Sequence, residues 1–391
     1  MSTAKRTRVL LLIPHLGGGG AEQVIGLLAK GLSPARYEVH LGLTTQPHTS
    51  QDTMPSTVNV HALGASRVRA AAFKLIRLVW RLKPDVILSG MFHVNFLVLL
   101  LRPLFPLGTS VLVRQNGTVS AALACGNLPV YTRILYRMLY RRADCVICQS
   151  QAMASDIANQ FGIADQKLAV LHNPVNIDAI RAGSAEHLAE SAHEAWAGPG
   201  PHLLAVGRLS PEKGFDLLLS ALVIVRQQFS TADLVMAGAG PEEESLKAQC
   251  HELGLESAVR FVGHVDRPSA YFRGASAFVL ASRHEGMPNA LLEAAAGGLP
   301  IVALPASGGV TELLRNKPGA WLASEVSCEA LATSLLSALK VLPAGLRFEH
   351  PFIEAFRMPN AIQAYERLID SVAEDSRSTA DVDPTLAERS H

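Results

Sequence analysis

Two carboxylates, Glu285 and Glu293, flank a short segment that reads Gly-Met-Pro-Asn-Ala-Leu-Leu. Pro288 suits the first turn of a helix, so we expect Glu285 in the preceding loop and Glu293 inside the helix. A carboxylate in an otherwise apolar helix needs a polar partner, and the hydroxyls of a ribose are one. These residues predict a site in which one carboxylate binds a sugar and the other a ribose, while the helix N-terminus faces phosphates between them.

Two cations, Arg208 and Lys213, lie five residues apart in the segment Gly-Arg-Leu-Ser-Pro-Glu-Lys-Gly, directly after the apolar run His202–Val206. In parallel sheets, ligands bind at the carboxyl ends of strands. Two positive charges at such a place suit a diphosphate, since each neutralises one group of oxygens. The alternative, two solvated surface charges, is less consistent with a strand end bounded by glycines.

A third candidate is the glycine run Gly17–Gly20, which is followed by Ala21 and Glu22. Glycines let backbone amides approach a ligand closely, and the helix expected after them favours an anion at its N-terminus. The run does not match the dinucleotide pattern Gly-x-Gly-x-x-Gly, because Glu22 stands at the last glycine position. This mismatch argues against a nicotinamide-dependent oxidoreductase.

The elements that position these residues alternate between short apolar runs and helical patterns, which is typical of an α/β protein with parallel sheets. One such series ends at about Leu171 and a second begins at about His202. The predicted strands are Val9–Ile13, Val39–Leu43, Val86–Leu88, Ser110–Val113, Cys145–Cys148, His202–Val206, Asp233–Ala237, Val259–Phe261, Ala277–Leu280 and Pro300–Ala303. The helical patterns include Ala21–Gly31, Phe215–Gln228, Glu242–Leu253 and Asn289–Gly297.

The 391 residues are 49% hydrophobic and 18% charged, a globular composition that excludes a disordered chain. We predict one domain over residues 1–175 and a second over residues 176–350. A final helical pattern covers about residues 351–373, and the polar residues 375–391 are expected to form a disordered tail.

Cysteine usage and hydropathy predict a cytoplasmic protein. Cys145 and Cys148 lie three apart on a predicted strand and therefore point to opposite faces, so we expect reduced thiols rather than a disulfide or a shared metal. The longest apolar stretch has only sixteen residues, at positions 86–101, whereas a spanning helix needs about 20. The run Val9–Ile13 is too short for the apolar part of a signal peptide.

The net charge of +1 excludes a uniformly basic nucleic-acid binder, but the charge is unevenly distributed. Residues 1–175 hold 18 Lys and Arg against seven Asp and Glu, while the remaining residues hold 17 against 27. Two basic patterns at helical spacing lie in the first part and carry aromatic residues nearby: Lys74, Arg77 and Arg81, and Arg133, Arg137 and Arg141. We predict that this domain contacts an anionic membrane surface, at the inner face of the cell membrane.

Taken together, the motifs resemble those of retaining glycosyltransferases of family 4. The most specific are the segment from Glu285 to Glu293 and the segment from Gly207 to Gly214. Gly19-Gly20-Ala21-Glu22 and Gly238-Ala239-Gly240-Pro241 also match. The resemblance covers almost the whole chain. It implies the GT-B architecture, in which two Rossmann-like domains face each other and a C-terminal helix crosses back to the first.

The resemblance also implies roles for the matching positions. Arg208 and Lys213 would bind the diphosphate of a nucleotide-sugar donor, Glu285 its sugar hydroxyls and Glu293 its ribose. The remaining donor-binding candidates are backbone or loop positions: Gly18, Gly19, Gly20, Gly238, Gly240, His264, Val265, Gly286, Met287, Pro288 and Asn289. No Asp-x-Asp motif occurs outside the terminal segment, so we predict neither a metal nor any other cofactor.

One feature departs from the family pattern. Family members often carry a histidine near the donor after a middle strand of the first domain, where this chain reads Val-Arg-Gln-Asn-Gly at 113–117. His93, which follows the preceding predicted strand, or His15, beside the glycine run, is the candidate replacement. We place His93 in the site.

The sequence thus predicts an enzyme that transfers a hexose from a nucleotide-diphosphate sugar, with UDP preferred over GDP, to a glycan or lipid-linked acceptor of the cell envelope. A polyprenyl-diphosphate glycan, a lipopolysaccharide core and a capsule repeat are the acceptors considered. The alternative interpretations are a nucleotide-sugar epimerase of the same architecture and, less favoured, a two-lobed sugar-binding protein.

Overall fold

The computed structural model describes residues 5–17, 19–45, 54–124, 131–185, 195–196, 198–343 and 345–381. The chain divides into two compact units. The first contains the residues up to Pro174 together with those from Met358 onward, and the second contains Val175–Arg357. Each unit is built on its own parallel sheet.

The first unit contains a seven-stranded sheet in the order β3-β2-β1-β4-β5-β6-β7. Residues Val9–Ile13, in one of its inner strands, form a continuous apolar run because helices cover both faces of the sheet. The strands are β1 Thr7–Ile13, β2 Tyr37–Thr45, β3 Val58–Ala65, β4 Val86–Ser89, β5 Ser110–Arg114, β6 Cys145–Cys148 and β7 Leu168–Val170. The helices are α1 Gly20–Gly31, α2 Ala72–Leu82, α3 Phe92–Leu101, α4 Val119–Ala124, α5 Thr132–Leu139 and α6 Gln151–Phe161.

The second unit contains α7 Ile177–Ala185 and a six-stranded sheet in the order β10-β9-β8-β11-β12-β13. The strand order reverses beside β8, as it does beside β1 in the first unit, which is the arrangement of doubly wound folds. The strands are β8 His202–Val206, β9 Asp233–Ala237, β10 Val259–Gly263, β11 Ala277–Leu280, β12 Ile301–Ala303 and β13 Ala320–Leu322. The helices are α8 Phe215–Arg226, α9 Glu243–Glu252, α10 Asn289–Ala296, α11 Val310–Leu314 and α12 Cys328–Val341.

The C-terminal segment differs from the prediction. Residues 351–356 form a 3₁₀ turn within the second unit, and the last helix, α13, runs over Met358–Asp381. Its apolar positions Ile362, Tyr365 and Ile369 are buried in the core of the first unit, at helical spacing. The hydroxyl of Ser110 donates to the carbonyl of Val372 at 2.9 Å. Residues 375–381, which we expected in the disordered tail, therefore continue the helix, and residues 382–391 lie outside the described chain.

The two neighbouring cysteines point to opposite faces of β6, as predicted. Cys145 packs in the core cluster on one side of the sheet and Cys148 in the cluster on the other. Both thiols are free, and burial raises the pKa of each to about 12. Within the described ranges, no helix is both long and apolar enough to cross a membrane.

Candidate active site

Four neighbouring strands of the second sheet end on loops that carry the predicted residues. Because β10, β9, β8 and β11 are parallel, their carboxyl ends lie at one edge of the sheet. Arg208 and Lys213 follow β8, and Glu285 follows β11. The other loop candidates follow β9 and β10: Gly238, Gly240, His264 and Val265. The second unit therefore gathers these loops at the edge where such sheets bind ligands.

Lys213 and Glu285 form an ion pair across two of these loops. Lys213 Nζ lies 2.6 Å from Glu285 Oε1, and the Ser282 hydroxyl donates to the same oxygen at 2.7 Å. The Glu285 side chain is 9% exposed and that of Lys213 25% exposed, so the pair is largely shielded from water. An ammonium group has three donors, so Lys213 retains two for a bound anion.

Arg208, the other predicted diphosphate ligand, is exposed. It precedes a 3₁₀ turn over Pro211–Lys213, in which the Ser210 hydroxyl donates to Glu212 Oε1 at 2.7 Å. The guanidinium is therefore accessible to a ligand at the strand edge, while the turn places Lys213 against Glu285.

Glycines hold the loops after β8 and β9 in close contact. A Cβ on Gly238 would collide with the carbonyl of Gly207, and a Cβ on Gly240 with the carbonyl of Leu209. The amide of Leu209 donates to the carbonyl of Ala239 at 3.1 Å. Both predicted glycines thus bring the backbone at this edge together, at positions that a larger residue cannot occupy.

The segment around Glu285 is fixed by a partner that the sequence analysis missed, the glycine pair after β12. Glu285 N donates to the Ser307 carbonyl at 3.0 Å, and Gly309 N donates to the Gly286 carbonyl at 2.8 Å. Gly308 has a φ of +103° and lies against the Glu285 carbonyl, where a Cβ would collide. The sequence signal that could have revealed this partner is the pair Gly308 and Gly309 shortly after the predicted strand Pro300–Ala303.

Helix α10 begins at Asn289 and ends at Ala296, so Gly286, Met287 and Pro288 precede it. Pro288 takes an extended backbone at the cap position rather than lying within the first turn as expected. Met287 is buried in the apolar core under the helix, which makes its backbone, not its side chain, the group available to a ligand.

Glu293 lies within α10 between buried Leu292 and Ala294. Among the described residues, its carboxyl group has no hydrogen-bond partner. Burial raises its pKa to about 7. A half-buried carboxyl group that lacks a partner fits the prediction of a site for a hydroxyl-bearing ligand.

Two predicted loop positions are less constrained. His264 is exposed, and its Nε2 lies 3.3 Å from a carboxylate oxygen of Asp266, itself exposed. Val265 packs partly against the core of the second unit. Both stay candidates by their place after β10.

The remaining candidates belong to the first unit. Gly19 caps α1 and Gly20 is its first residue, whereas Gly18 lies outside the described residues. His93 lies in the first turn of α3, half-buried, with its ring edge-on to Phe92. Burial, with a smaller effect of the neighbouring His15, lowers the pKa of His93 and favours a neutral imidazole.

Comparison with known proteins decides the family. The model described as Glycosyltransferase Family 4 matches residues 18–179, and the model described as Glycosyl transferases group 1 matches residues 189–343. This chain belongs to glycosyltransferase family 4. It is an enzyme of the GT-B fold class, built from two Rossmann-like domains, as the sequence predicted.

Relatives of this family 4 enzyme act on several substrates. It is 27% identical over 314 residues to the Campylobacter jejuni N-acetylgalactosamine-N,N'-diacetylbacillosaminyl-diphospho-undecaprenol 4-alpha-N-acetylgalactosaminyltransferase, covering 78% of this chain and 82% of that protein. It is 32% identical over 201 residues to a GDP-mannose-dependent alpha-(1-6)-phosphatidylinositol monomannoside mannosyltransferase of Mycobacterium tuberculosis, covering 49% of this chain and 51% of that protein.

Among solved structures, HepE of Anabaena in complex with UDP and glucose resembles this glycosyltransferase with a TM-score of 0.70. The match covers 96% of this chain and 100% of that chain at 18% sequence identity. At that identity the likeness concerns the fold.

Proposed function

We propose that this glycosyltransferase transfers a hexose from a UDP-sugar to a glycan or lipid-linked acceptor, with retention of the anomeric configuration, in the synthesis of a cell-envelope polysaccharide. The observation that carries the proposal is the ion pair of Lys213 with Glu285 at the strand edge, beside the exposed Arg208. A cationic group for a diphosphate and a carboxylate for sugar hydroxyls are thereby in contact, and a second cation follows the same strand as Lys213.

In the proposed reaction, an acceptor hydroxyl oxygen bonds to the anomeric carbon as the bond between that carbon and the diphosphate oxygen breaks. The electron pair of the broken bond leaves as negative charge on the nucleoside diphosphate, and the hydroxyl proton is released with it. Lys213 and Arg208 stabilise that charge, together with the amides before α10. Glu285 Oε1 accepts from Lys213 and Ser282, and Oε2 accepts a donor-sugar hydroxyl. No metal ion is assigned a role in this proposal, because the two cations neutralise the diphosphate.

The acceptor class is supported by a relative, because the name of the Campylobacter relative describes transfer to a diphospho-undecaprenol-linked sugar. The choice of UDP follows from the resemblance of the sequence motifs to the family. The Mycobacterium relative is described as GDP-mannose-dependent, so the base is the first quantity to measure.

A donor screen tests the proposal. UDP-sugars and GDP-mannose are incubated with the enzyme and a polyprenyl-diphosphate-linked glycan, and release of nucleoside diphosphate is measured with and without that acceptor. We expect acceptor-dependent release from a UDP-sugar and an unchanged anomeric configuration in the product. Conversion of the donor without acceptor would instead support the epimerase, and release from GDP-mannose alone would overturn the UDP assignment.

We further propose that the first unit rests on an anionic membrane. Residues 58–142 contain twelve Lys and Arg but only one acidic residue. On the solvent face of α2, Arg77 lies between the exposed Phe73 and Trp80, which are 76% and 52% exposed. The solvent face of α5 repeats the pattern with Arg133, Ile134, Arg137 and Met138.

This combination suits an interfacial membrane contact. Both helices pack against α3. Aromatic and aliphatic side chains enter the headgroup region, and each basic residue near an anionic surface contributes about 1 kcal/mol. A lipid-linked acceptor would be presented at such a surface.

Sedimentation with vesicles tests this contact. We expect the protein to pellet with vesicles that contain phosphatidylglycerol, at low salt, and not with pure phosphatidylcholine vesicles. The double variant Arg77→Glu/Trp80→Ser should lose this binding. The double variant Lys340→Glu/Val341→Ser likewise reverses a basic charge and removes an exposed apolar side chain, on α12, and should keep this binding. Equal binding of both variants would overturn the assignment.

A further inference from the structure

Arg283 fastens two loops of the candidate site to each other. Its Nη1 donates to the carbonyl of Pro211 at 2.8 Å, and its backbone amide donates to the carbonyl of Glu212, also at 2.8 Å. Arg283 belongs to the loop that carries Glu285, whereas Pro211 and Glu212 belong to the loop that carries Lys213. Two hydrogen bonds from one residue therefore join the loop of the carboxylate to the loop of the ammonium.

The same guanidinium is held by a carboxylate of the following helix. Arg283 Nη1 lies 2.7 Å from Asp216 Oδ1 and Nη2 lies 2.6 Å from Oδ2, so the contact is bidentate. Asp216 lies in the first turn of α8, directly after the loop of Lys213. Although burial alone would raise the pKa of Asp216, the hydrogen bonds and charge of Arg283 keep it below its usual value. Arg283 and Asp216 thus form a bidentate salt bridge, which constrains the orientation of the guanidinium more tightly than a single hydrogen bond would.

The backbone supports the same connection. Gly214, with a φ of +65°, lies so close to the carbonyl of Ala281 that a Cβ would collide with it. The loops after β8 and β11 are therefore in direct contact on the side of Arg283, and the ion pair of Lys213 with Glu285 lies between the same two loops.

We infer that Arg283, together with Asp216, is a positioning residue that sets the place of Lys213 for the donor diphosphate. This inference rests on the proposed function. Arg283 contacts the loop of Lys213, so its proposed effect on the ligand is exerted through the position of Lys213. Without the guanidinium, the turn over Pro211–Lys213 loses the hydrogen bond from Arg283 Nη1 to the carbonyl of Pro211 and keeps only the backbone bond at Glu212. Lys213 is then held less firmly in its position for the phosphates. Such misplacement reduces binding and turnover without removing any group that touches the donor.

Titration calorimetry with UDP and with uridine tests this role, because only UDP carries the diphosphate. For Arg283→Ala we expect the affinity for UDP to fall on the order of tenfold, while the affinity for uridine stays unchanged. Asp216→Ala should have the same effect, and the double variant should be no worse than either single variant, because the pair acts as a unit. Arg283→Lys should recover only part of the affinity, since one ammonium cannot reach both carboxylate oxygens and the carbonyl of Pro211.

Arg226→Ala is the matched control. Arg226 lies at the other end of α8, is likewise half-buried, and donates to the carbonyl of Ala232. It should bind UDP as the wild type does. The inference is overturned if Arg283→Ala binds UDP normally, or if UDP and uridine affinities fall equally together with the melting temperature. If the wild type prefers GDP, the same comparison is made with GDP and guanosine. A wild type that binds none of these overturns the proposed function and this inference with it.

Discussion

Lys213 Nζ and Glu285 Oε1 lie 2.6 Å apart although 72 residues separate them in the sequence. The two residues follow β8 and β11, which are adjacent in the sheet. Each was predicted to bind a different part of the donor. Because they form a charge-assisted hydrogen bond that is largely shielded from water, the Lys213 ammonium and the Glu285 carboxylate also fix each other's orientation.

Removal of the ammonium group should reduce turnover. We expect Lys213→Ala to lower kcat by roughly 10²–10³-fold, because a positioned donor to the developing negative charge is lost. The measurement is steady-state release of nucleoside diphosphate. Lys247→Ala is the control, since Lys247 pairs with Glu243 and Glu244 on the exposed face of α9. Normal turnover of Lys213→Ala would contradict the assignment of Lys213 as a ligand of the donor diphosphate.

Neutralisation of the carboxylate should affect both binding and turnover. Glu285→Gln retains the shape but leaves Lys213 without its counter-charge, so we expect kcat/KM for the donor to fall by roughly tenfold or more. Ser282→Ala removes only the second hydrogen bond to Oε1 and should cost less. Donor saturation curves of the two variants decide this. A larger loss for Ser282→Ala than for Glu285→Gln would contradict the assigned role of the carboxylate.

Glu293 should make stability depend on pH. Its pKa is about 7 in the folded chain and about 4.3 in an unfolded one. Between these values the folded state binds more protons, so the free energy of unfolding falls as pH rises through this range. Glu293→Gln removes the titrating group, and its melting temperature should exceed that of the wild type at pH 8 but match it at pH 4.

The same substitution should weaken nucleotide binding, because the ionised carboxylate accepts two hydroxyls where the amide offers one acceptor. For the wild type, the affinity for UDP should rise as pH increases through about 7 and Glu293 ionises. Calorimetry across this range gives the result, with Glu252→Gln, an exposed glutamate of α9, as control. An affinity for UDP that does not change with pH would contradict the assignment of Glu293 to the ribose.

His93 provides a test of the first unit. If its imidazole contacts the donor, His93→Ala should lower kcat while the melting temperature stays close to that of the wild type, because the side chain is only half-buried. Since its pKa is lowered, the group is neutral at pH 7 and should act as a hydrogen-bonding group rather than as a cation. Normal turnover of the variant would remove His93 from the mechanism.

Gly308 should be intolerant of a side chain. Gly308→Ala combines a φ of +103° with a collision against the Glu285 carbonyl, so we expect a loss of more than about 2 kcal/mol in the free energy of unfolding. Gly254→Ala is the matched control, since its φ is +65° but its Cβ position is open. It should cost about 1 kcal/mol. Urea denaturation measures both, and equal losses would mean that the contact with the Glu285 carbonyl is unimportant.

Local sequence was sufficient to predict the inner strands and the candidate residues in the loops that follow them. Val9–Ile13, Cys145–Cys148 and Asp233–Ala237 are buried on both faces, and such strands read as continuous apolar runs. Of the four edge strands, β10 was predicted as Val259–Phe261, whereas β3, β7 and β13 were missed. They lie at the margins of the two sheets, where only one neighbour and partial burial leave a weak apolar pattern.

The sequence by itself determined the α/β class, the two series of strands and the glycines, cations and carboxylates at strand ends, because burial and turn geometry are encoded by neighbouring residues. Only the tertiary structure decided that Lys213 meets Glu285, that Arg283 joins their loops and that burial raises the pKa of Glu293. Those properties depend on which strands lie side by side and on how deeply a side chain is covered. Residues far apart in the chain set both.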